Sequence, residues 1–142
     1  MTGRPGFRRI LVAYDGSDGA KLALDAGGAL AVALGAAVGV VSVAPERPTE
    51  SPDAAGSGVS THAGFLHDAT VGLAALGLNA ATHEPTGAIG PTIVQVAESF
   101  GYDTIVVGSR DLGAVRRAIL GSVSDYVATH ARATVLIARA AD

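Results

Sequence analysis

Residues Arg9 to Ser17 read RILVAYDGS, an unbroken apolar run that stops on Asp-Gly-Ser. A strand with one wet face alternates apolar and polar residues. A continuous apolar run of this length, bounded by turn residues, instead marks a strand buried on both faces. Ser17 and Asp18 follow, and each offers a side-chain oxygen to the free N–H groups of a helix's first turn. Beyond them Ala20, Leu24, Gly27, Ala31 and Leu34 recur at spacings of four and three. That spacing places them on one helical face, and the small residues among them let the helix lie close to a sheet. Gly35 ends the helix.

The same alternation continues outward. Val38 to Val43 reads as a second buried strand, and Pro45 to Ser60 as a mobile loop with three prolines and two glycines. Thr61 to Leu76 is weakly helical, with Phe65, Ala69, Leu73 and Leu76 on one face and Gly77 ending it. Asn79 to His83 reads as a short strand and Thr86 to Pro91 as a turn, with Pro91 in the first turn of the next helix. Ile93, Val96, Ala97 and Phe100 give that helix its apolar stripe, and Gly101 closes it. Thr104 to Val107 is a strand, Ala114 to Ala131 is mostly helical with Gly121 interrupting it, and Thr134 to Ala138 is the last strand. Strands alternating with helices imply parallel pairing through right-handed crossovers. The expected fold is α/β: a five-stranded parallel sheet, order 3-2-1-4-5, with helices on both faces. Ligands bind such sheets beyond the carboxyl ends of the strands, near the point where the strand order reverses. Here that means the segments after the first and fourth strands, which carry Asp15 and Gly108.

Bulk properties narrow the function. The 142 residues suit one domain, 1–142, with a core over about 7–140. A net charge of −3 argues against a basic nucleic-acid-binding face. The chain has no cysteine, which excludes disulfides, thiolate zinc sites and cysteine nucleophiles and agrees with a cytoplasmic location. Ala26 to Pro45 is uncharged and about as long as a membrane span. It is nevertheless mostly Ala, Gly and Val, and Gly35 divides it, so it reads as the end of a helix, a turn and a buried strand. The polar, basic start of the chain has no apolar region directly after it, so no signal peptide is expected.

Val107 to Ser124 reads VGSRDLGAVRRAILGSVS: a strand end, a glycine-containing loop, a basic turn, and a Gly-Ser pair opening a helical stretch. Gly108 and Gly113 let backbone N–H groups approach an anion. Gly121, Ser122 and Val123 present N–H groups and a hydroxyl at a helix N-terminus, the end that attracts phosphate. Arg110, Arg116 and Arg117 add positive charge. The same residues also have a plain structural explanation, in which Gly108 ends a strand, Gly121 permits close packing and the arginines coat a solvated face.

Three segments, ILVAYDGS (Ile10–Ser17), VSVAP (Val41–Pro45) and GSRDLGAVRRAILGSVS (Gly108–Ser124), resemble the universal stress protein family, and the resemblance runs from Arg9 to Arg139. It implies a Rossmann-like fold similar to the adenine nucleotide alpha hydrolases. The family's nucleotide pattern is Gly, two residues, Gly, nine residues, Gly, then Ser or Thr; Gly108, Gly121 and Ser122 fall on it. Members with the full pattern bind ATP, so the resemblance implies an adenine nucleotide, with magnesium as an accompanying ion. By position, Asp15 meets the ribose, Ala13 and Val43 flank the adenine, and Val107, Gly108 and Arg110 line the pocket. Gly121, Ser122 and Val123 meet the phosphates. Homodimerisation through the last strand and a regulatory role in stress responses are implied with them.

Asp111 departs from the pattern, standing where the second glycine belongs. It adds a side chain where backbone and phosphate come close, and a negative charge. Two unit charges about 4 Å apart at an effective dielectric near 20 repel by roughly 4 kcal/mol, an upper-side figure worth about three decades of affinity. The alternative is therefore a nucleotide-free member of the family acting as a dimeric interaction module. Other chemistries fit less well. A phospho-acceptor site at Asp15 needs an acidic cluster and a lysine after the last strand, but the one lysine, Lys21, is on the first helix. His62, His67, His83 and His130 are scattered, and no metal site is expected. Ser17, Ser109 and Ser122 have no recognisable partner histidine. Catalysis is expected to be at most weak ATP hydrolysis, with no assignable catalytic residue.

Overall fold

The strand β1 (Arg9–Ala13) is hydrogen-bonded along both edges. On one side it pairs in parallel with β2 (Ala37–Val41), from Arg9 opposite Ala37 to Ala13 opposite Val41. On the other it pairs with β4 (Thr104–Gly108), Ile10 opposite Thr104 and Val12 opposite Val106. The edges are completed by β3 (Ala81–His83) against β2 and β5 (Thr134–Ala138) against β4. The result is a five-stranded, all-parallel sheet in the order 3-2-1-4-5, as the alternation of elements implies. The structure is a computed structural model in which residues 6–44, 64–109 and 121–139 are described. The loop expected over Pro45–Ser60, the start of the following helix and the part before Gly121 of the helical stretch expected over Ala114–Ala131 lie outside those residues.

Both faces of β1 are buried because successive side chains point in opposite directions. Ile10 and Val12 join Val38, Val40 and Val106 on one face, covered by α1 (Asp18–Leu34) and by the helix α2 at 64–74. Leu11, Val41, Ile105 and Val107 occupy the other face, under α3 (Ile89–Ser99) and α4 (Ser122–His130). Ile10, Leu11 and Val12 are all fully buried, which is why the run carries no polar residue. Strand ends differ slightly from expectation. The strand hydrogen bonds of β1 and β2 stop at Ala13 and Val41, leaving Tyr14 and Val43 just past them, although the Tyr14 amide still donates to the Val41 carbonyl at 2.9 Å.

The caps of α1 follow the sequence. The Ser17 hydroxyl accepts from the Ala20 amide at 3.1 Å, and Gly35 takes the left-handed conformation that ends the helix. Its buried face is built from Ala20, Ala23, Gly27, Gly28 and Ala31. Leu34, expected on that face, is half exposed in the last turn, and Leu24 is only partly buried. Small residues win because they let the helix axis approach the sheet. The uncharged stretch from Ala26 is thus split between a helix and a strand, and among the described residues no helix is long and apolar enough to cross a membrane.

Side chains tie the start of β1 to the turn before β4 and, through Tyr102, to the end of β3. Asp103 accepts from the Arg8 amide at 3.0 Å, and Arg9 donates from Nη2 to the Phe100 carbonyl at 2.9 Å. The Arg9 guanidinium lies 4.9 Å over the Tyr102 ring, and the Tyr102 hydroxyl is 2.8 Å from Nε2 of His83 on β3. Burial, and secondarily the Arg9 charge, lower the pKa of His83 from 6.5. The unfolded chain therefore takes up a proton before the folded one does. The stabilisation is complete above pH about 6.5 and is lost as pH falls from there towards the lower folded-state pKa. The gap in urea midpoint between the wild type and His83→Gln is expected to shrink between pH 7.5 and pH 5.5. A gap that stays constant would show that His83 does not titrate differently on folding.

Candidate functional site

Parallel strands end at a common edge, and the helix that follows each of them starts there. The strand order reverses across β1, so the chain leaves β1 towards one face and leaves β4 towards the other, opening a gap between the two exits. A cleft of about 450 Å³ occupies this gap. One wall is apolar and belongs to the α3–α4 side of the sheet: Ala13, Val43, Ile89, Ile93, Val107 and Val123. The opposite lip is polar and comes from the start of α1, with Asp15, Ser17 and Asp18.

Each part follows from local structure. Asp15 directly follows the end of the β1 run and is exposed. Its Oδ1 accepts from the Ser17 amide at 3.0 Å, and among the described residues none donates to Oδ2. Gly16 between them has φ of +81°, a conformation that any other residue reaches only with strain. Past β2, the Ser42 amide donates to the His83 carbonyl and the Ala44 amide to the Pro85 carbonyl, while Gly87 donates to the Ala44 carbonyl. No backbone hydrogen bond among the described residues ends at Val43. Among the described residues, Val43 therefore brings an N–H and a carbonyl without a backbone partner to the apolar wall. At α4 the N-cap is Gly121, with no side-chain cap, so among the described residues its first-turn N–H groups border the cleft without a side-chain acceptor.

Of the residues expected from the sequence, Ala13, Asp15, Val43, Val107, Gly108, Gly121 and Val123 all border this one cleft. Ser122 is exposed on the first turn of α4 and is not part of the lining. Ser124, 2% exposed, lines the cleft instead and donates from its hydroxyl to the Gly121 carbonyl at 3.1 Å. Arg110 and Asp111 lie outside the described residues, as do Gly113, Arg116 and Arg117. Sequence reasoning missed Ile89, Ile93 and the pairing of Gly19 with Gly108. Ile93 was legible only as a core residue, since its stripe runs continuously from the core into the cleft.

Gly108 has a further reason to be glycine. A Cβ there would fall on the carbonyl group of Gly19, and a Cβ on Gly19 would fall on the carbonyl of Ser109. The first turn of α1 and the end of β4 thus meet backbone to backbone, with no room for a side chain between them. That contact forms the floor of the cleft where its two sides join. Gly108→Ala and Gly19→Ala are each expected to lower stability by about 1–3 kcal/mol, the usual cost of overpacking. Urea denaturation without added ligand measures it, and wild-type stability in both variants would show that the contact is not the constraint.

The family model described as the universal stress protein family matches residues 6–139. The universal stress protein YxiE of Bacillus subtilis is 31% identical over 147 residues, covering 94% of this chain and 99% of that protein. Among solved structures, the hypothetical protein MJ0577 superposes with a TM-score of 0.82 at 22% identity, covering 96% of this chain and 98% of that one. A universal stress protein in complex with cAMP has a TM-score of 0.72 at 24% identity over 92% of this chain and 95% of its own. A universal stress protein family protein of Arabidopsis thaliana with AMP bound has a TM-score of 0.70 at 18% identity, covering 94% and 92%.

Proposed function

The chain belongs to the universal stress protein family, and we propose that it binds an adenine nucleotide in the cleft between the ends of β1 and β4. The observation that carries this reading is the division of the cleft into an apolar wall and a polar lip. A nucleotide is divided in the same way, into a flat base, a hydroxyl-bearing sugar and an anion. The base fits between Ala13, Val43 and Val107, with the N–H and carbonyl of Val43, which lack a backbone partner among the described residues, available to a base edge. Oδ2 of Asp15 accepts from a ribose hydroxyl, and the uncapped start of α4 at Gly121 and Val123 receives phosphate. Family members of the same fold in complex with cAMP and with AMP support this reading.

Within this proposal ATP, with or without magnesium, is the ligand most affected by the Asp111 replacement, because it concentrates negative charge where Asp111 adds more. By their place in the family's glycine pattern alone, Ser122, exposed on the same turn as Gly121, and Arg110 are assigned to the phosphate end. The protein acts as a single domain in the cytoplasm, as a stress-response regulator that changes its associations with nucleotide occupancy, and any ATP hydrolysis is slow.

A homodimer through β5 belongs to the same proposal. β5 is the outer strand beside β4, and all five of its residues, Thr134 to Ala138, are only partly buried. An apolar edge of this kind invites pairing. Light scattering at micromolar concentration is expected to give a dimer mass, and a monomer mass counts against the interface.

Isothermal titration with AMP, cAMP and ATP is expected to give binding of at least one at or below millimolar concentration, weakened in Asp15→Ala. Asp111→Gly is expected to strengthen ATP binding by up to about three decades. No heat from any of the three nucleotides at millimolar concentration would remove the nucleotide reading and leave the dimeric interaction module.

A further inference from the structure

The turn that presents Asp15 is supported from behind by a residue that does not line the cleft. Phe65, in the first described turn of α2, lays its ring against Gly16, where a Cβ on that glycine would collide with three ring carbons. The same ring meets Tyr14 edge to face, with centroids 6.3 Å apart and an interplanar angle of 85°. Tyr14 is itself 6% exposed, and its amide is bonded to β2. Tyr14 and Gly16 are thus pinned against α2, one through its side chain and the other through the bare face of its backbone. Asp15 stands between them. It borders the cleft lip, with Oδ1 accepting from the Ser17 amide and, among the described residues, no donor to Oδ2.

We infer that Phe65 is a positioning residue for the site: by packing on Gly16 and Tyr14 it fixes the turn that aims Asp15 into the cleft, and so couples α2 to ligand binding. The inference rests on the proposed nucleotide reading for its ligand, and on the geometry of the Gly16 turn for its mechanism. A Gly at positive φ is the most pliable unit in the chain, since it populates both signs of φ about equally. Flanked only by solvent, it would let Asp15 swing. The Phe65 ring occupies the volume through which the turn would rearrange. The coupling is reciprocal: a ligand hydroxyl held by Asp15 stabilises the turn, and the stabilised turn holds α2.

The experiment compares AMP with its 2′,3′-dideoxy analogue in the wild type, Phe65→Ala and Phe65→Leu, by titration calorimetry. A hydroxyl donating to a carboxylate is worth about tenfold or more in affinity, so the wild type is expected to prefer AMP by that factor. Phe65→Ala is expected to lose the preference while binding the dideoxy analogue as the wild type does. Phe65→Leu, which keeps apolar bulk against Gly16, should retain part of it. In an Asp15→Asn background Phe65→Ala should have no further effect on AMP binding, because the two residues act through one contact. Equal losses for both ligands, or an unchanged preference, would overturn the inference. Amide exchange without ligand separates this outcome from failure of the nucleotide reading. Faster exchange at the Ser17 amide in Phe65→Ala, with α3 and α4 unchanged, supports the positioning role even if the wild type binds no adenine nucleotide, whereas unchanged exchange there overturns it.

Discussion

The structure depends on β1 being paired along both edges. A strand with neighbours on each side and helices on each face has no contact with water except at its ends, so every residue from Ile10 to Val12 must be apolar. The same placement makes β1 the point where the strand order reverses, with β2 and β3 to one side and β4 and β5 to the other. The chain must leave β1 and β4 for opposite faces. The cleft is the space these departures leave, and it exists for topological reasons before any residue is chosen to line it.

What lines the cleft then follows from the two-residue period of the strands. The α3–α4 face of the sheet carries Leu11, Val41, Ile105 and Val107, and the same face continues into the cleft through Ala13, Val43 and Ile93. The apolar wall is therefore an extension of the core on one side only. On the other side the α1 turn supplies Asp15, Ser17 and Asp18. They are polar because a helix N-terminus needs side-chain acceptors and because the turn is solvated. A site with one apolar wall and one polar lip needs no special arrangement beyond a buried strand running into a capped helix.

This explains which parts were legible in the sequence. The strands were, because double burial writes itself as uninterrupted apolar runs. The helix ends were, because Ser17 and Gly35 are caps whose chemistry is local. Asp15, Val43 and Val107 were legible by position, since they stand at the carboxyl ends of strands. The closure of the floor by Gly19 and Gly108 was not, although both glycines are plain in the sequence. Their need to be glycine comes from each other across some ninety residues, and nothing local distinguishes them from turn glycines. Phe65 was legible only as part of an apolar stripe, because the same ring that fills the α2 stripe also reaches over Gly16. Ser122 and Ser124 lie two residues apart on α4, and a helix turns them to different sides. Only Ser124 lines the cleft, since Val127, three residues further on the same face, is already committed to the core.

The charges of the site are distributed unevenly, and that unevenness bears on what it can hold. The described lining carries two carboxylates, Asp15 and Asp18, and no cationic side chain. Among the described residues, attraction for an anion there comes from backbone, chiefly the first turn of α4, which offers partial rather than full charge. The cations nearest in sequence are Arg110, Arg116 and Arg117, in the segment that joins β4 to α4, and Asp111 offsets one of them. A ligand with a single phosphate can place it at the α4 turn, away from the carboxylate lip. Within the proposed nucleotide reading, the start of α4 is the described group that receives a phosphate, and the two carboxylates oppose each further negative charge brought to the lip.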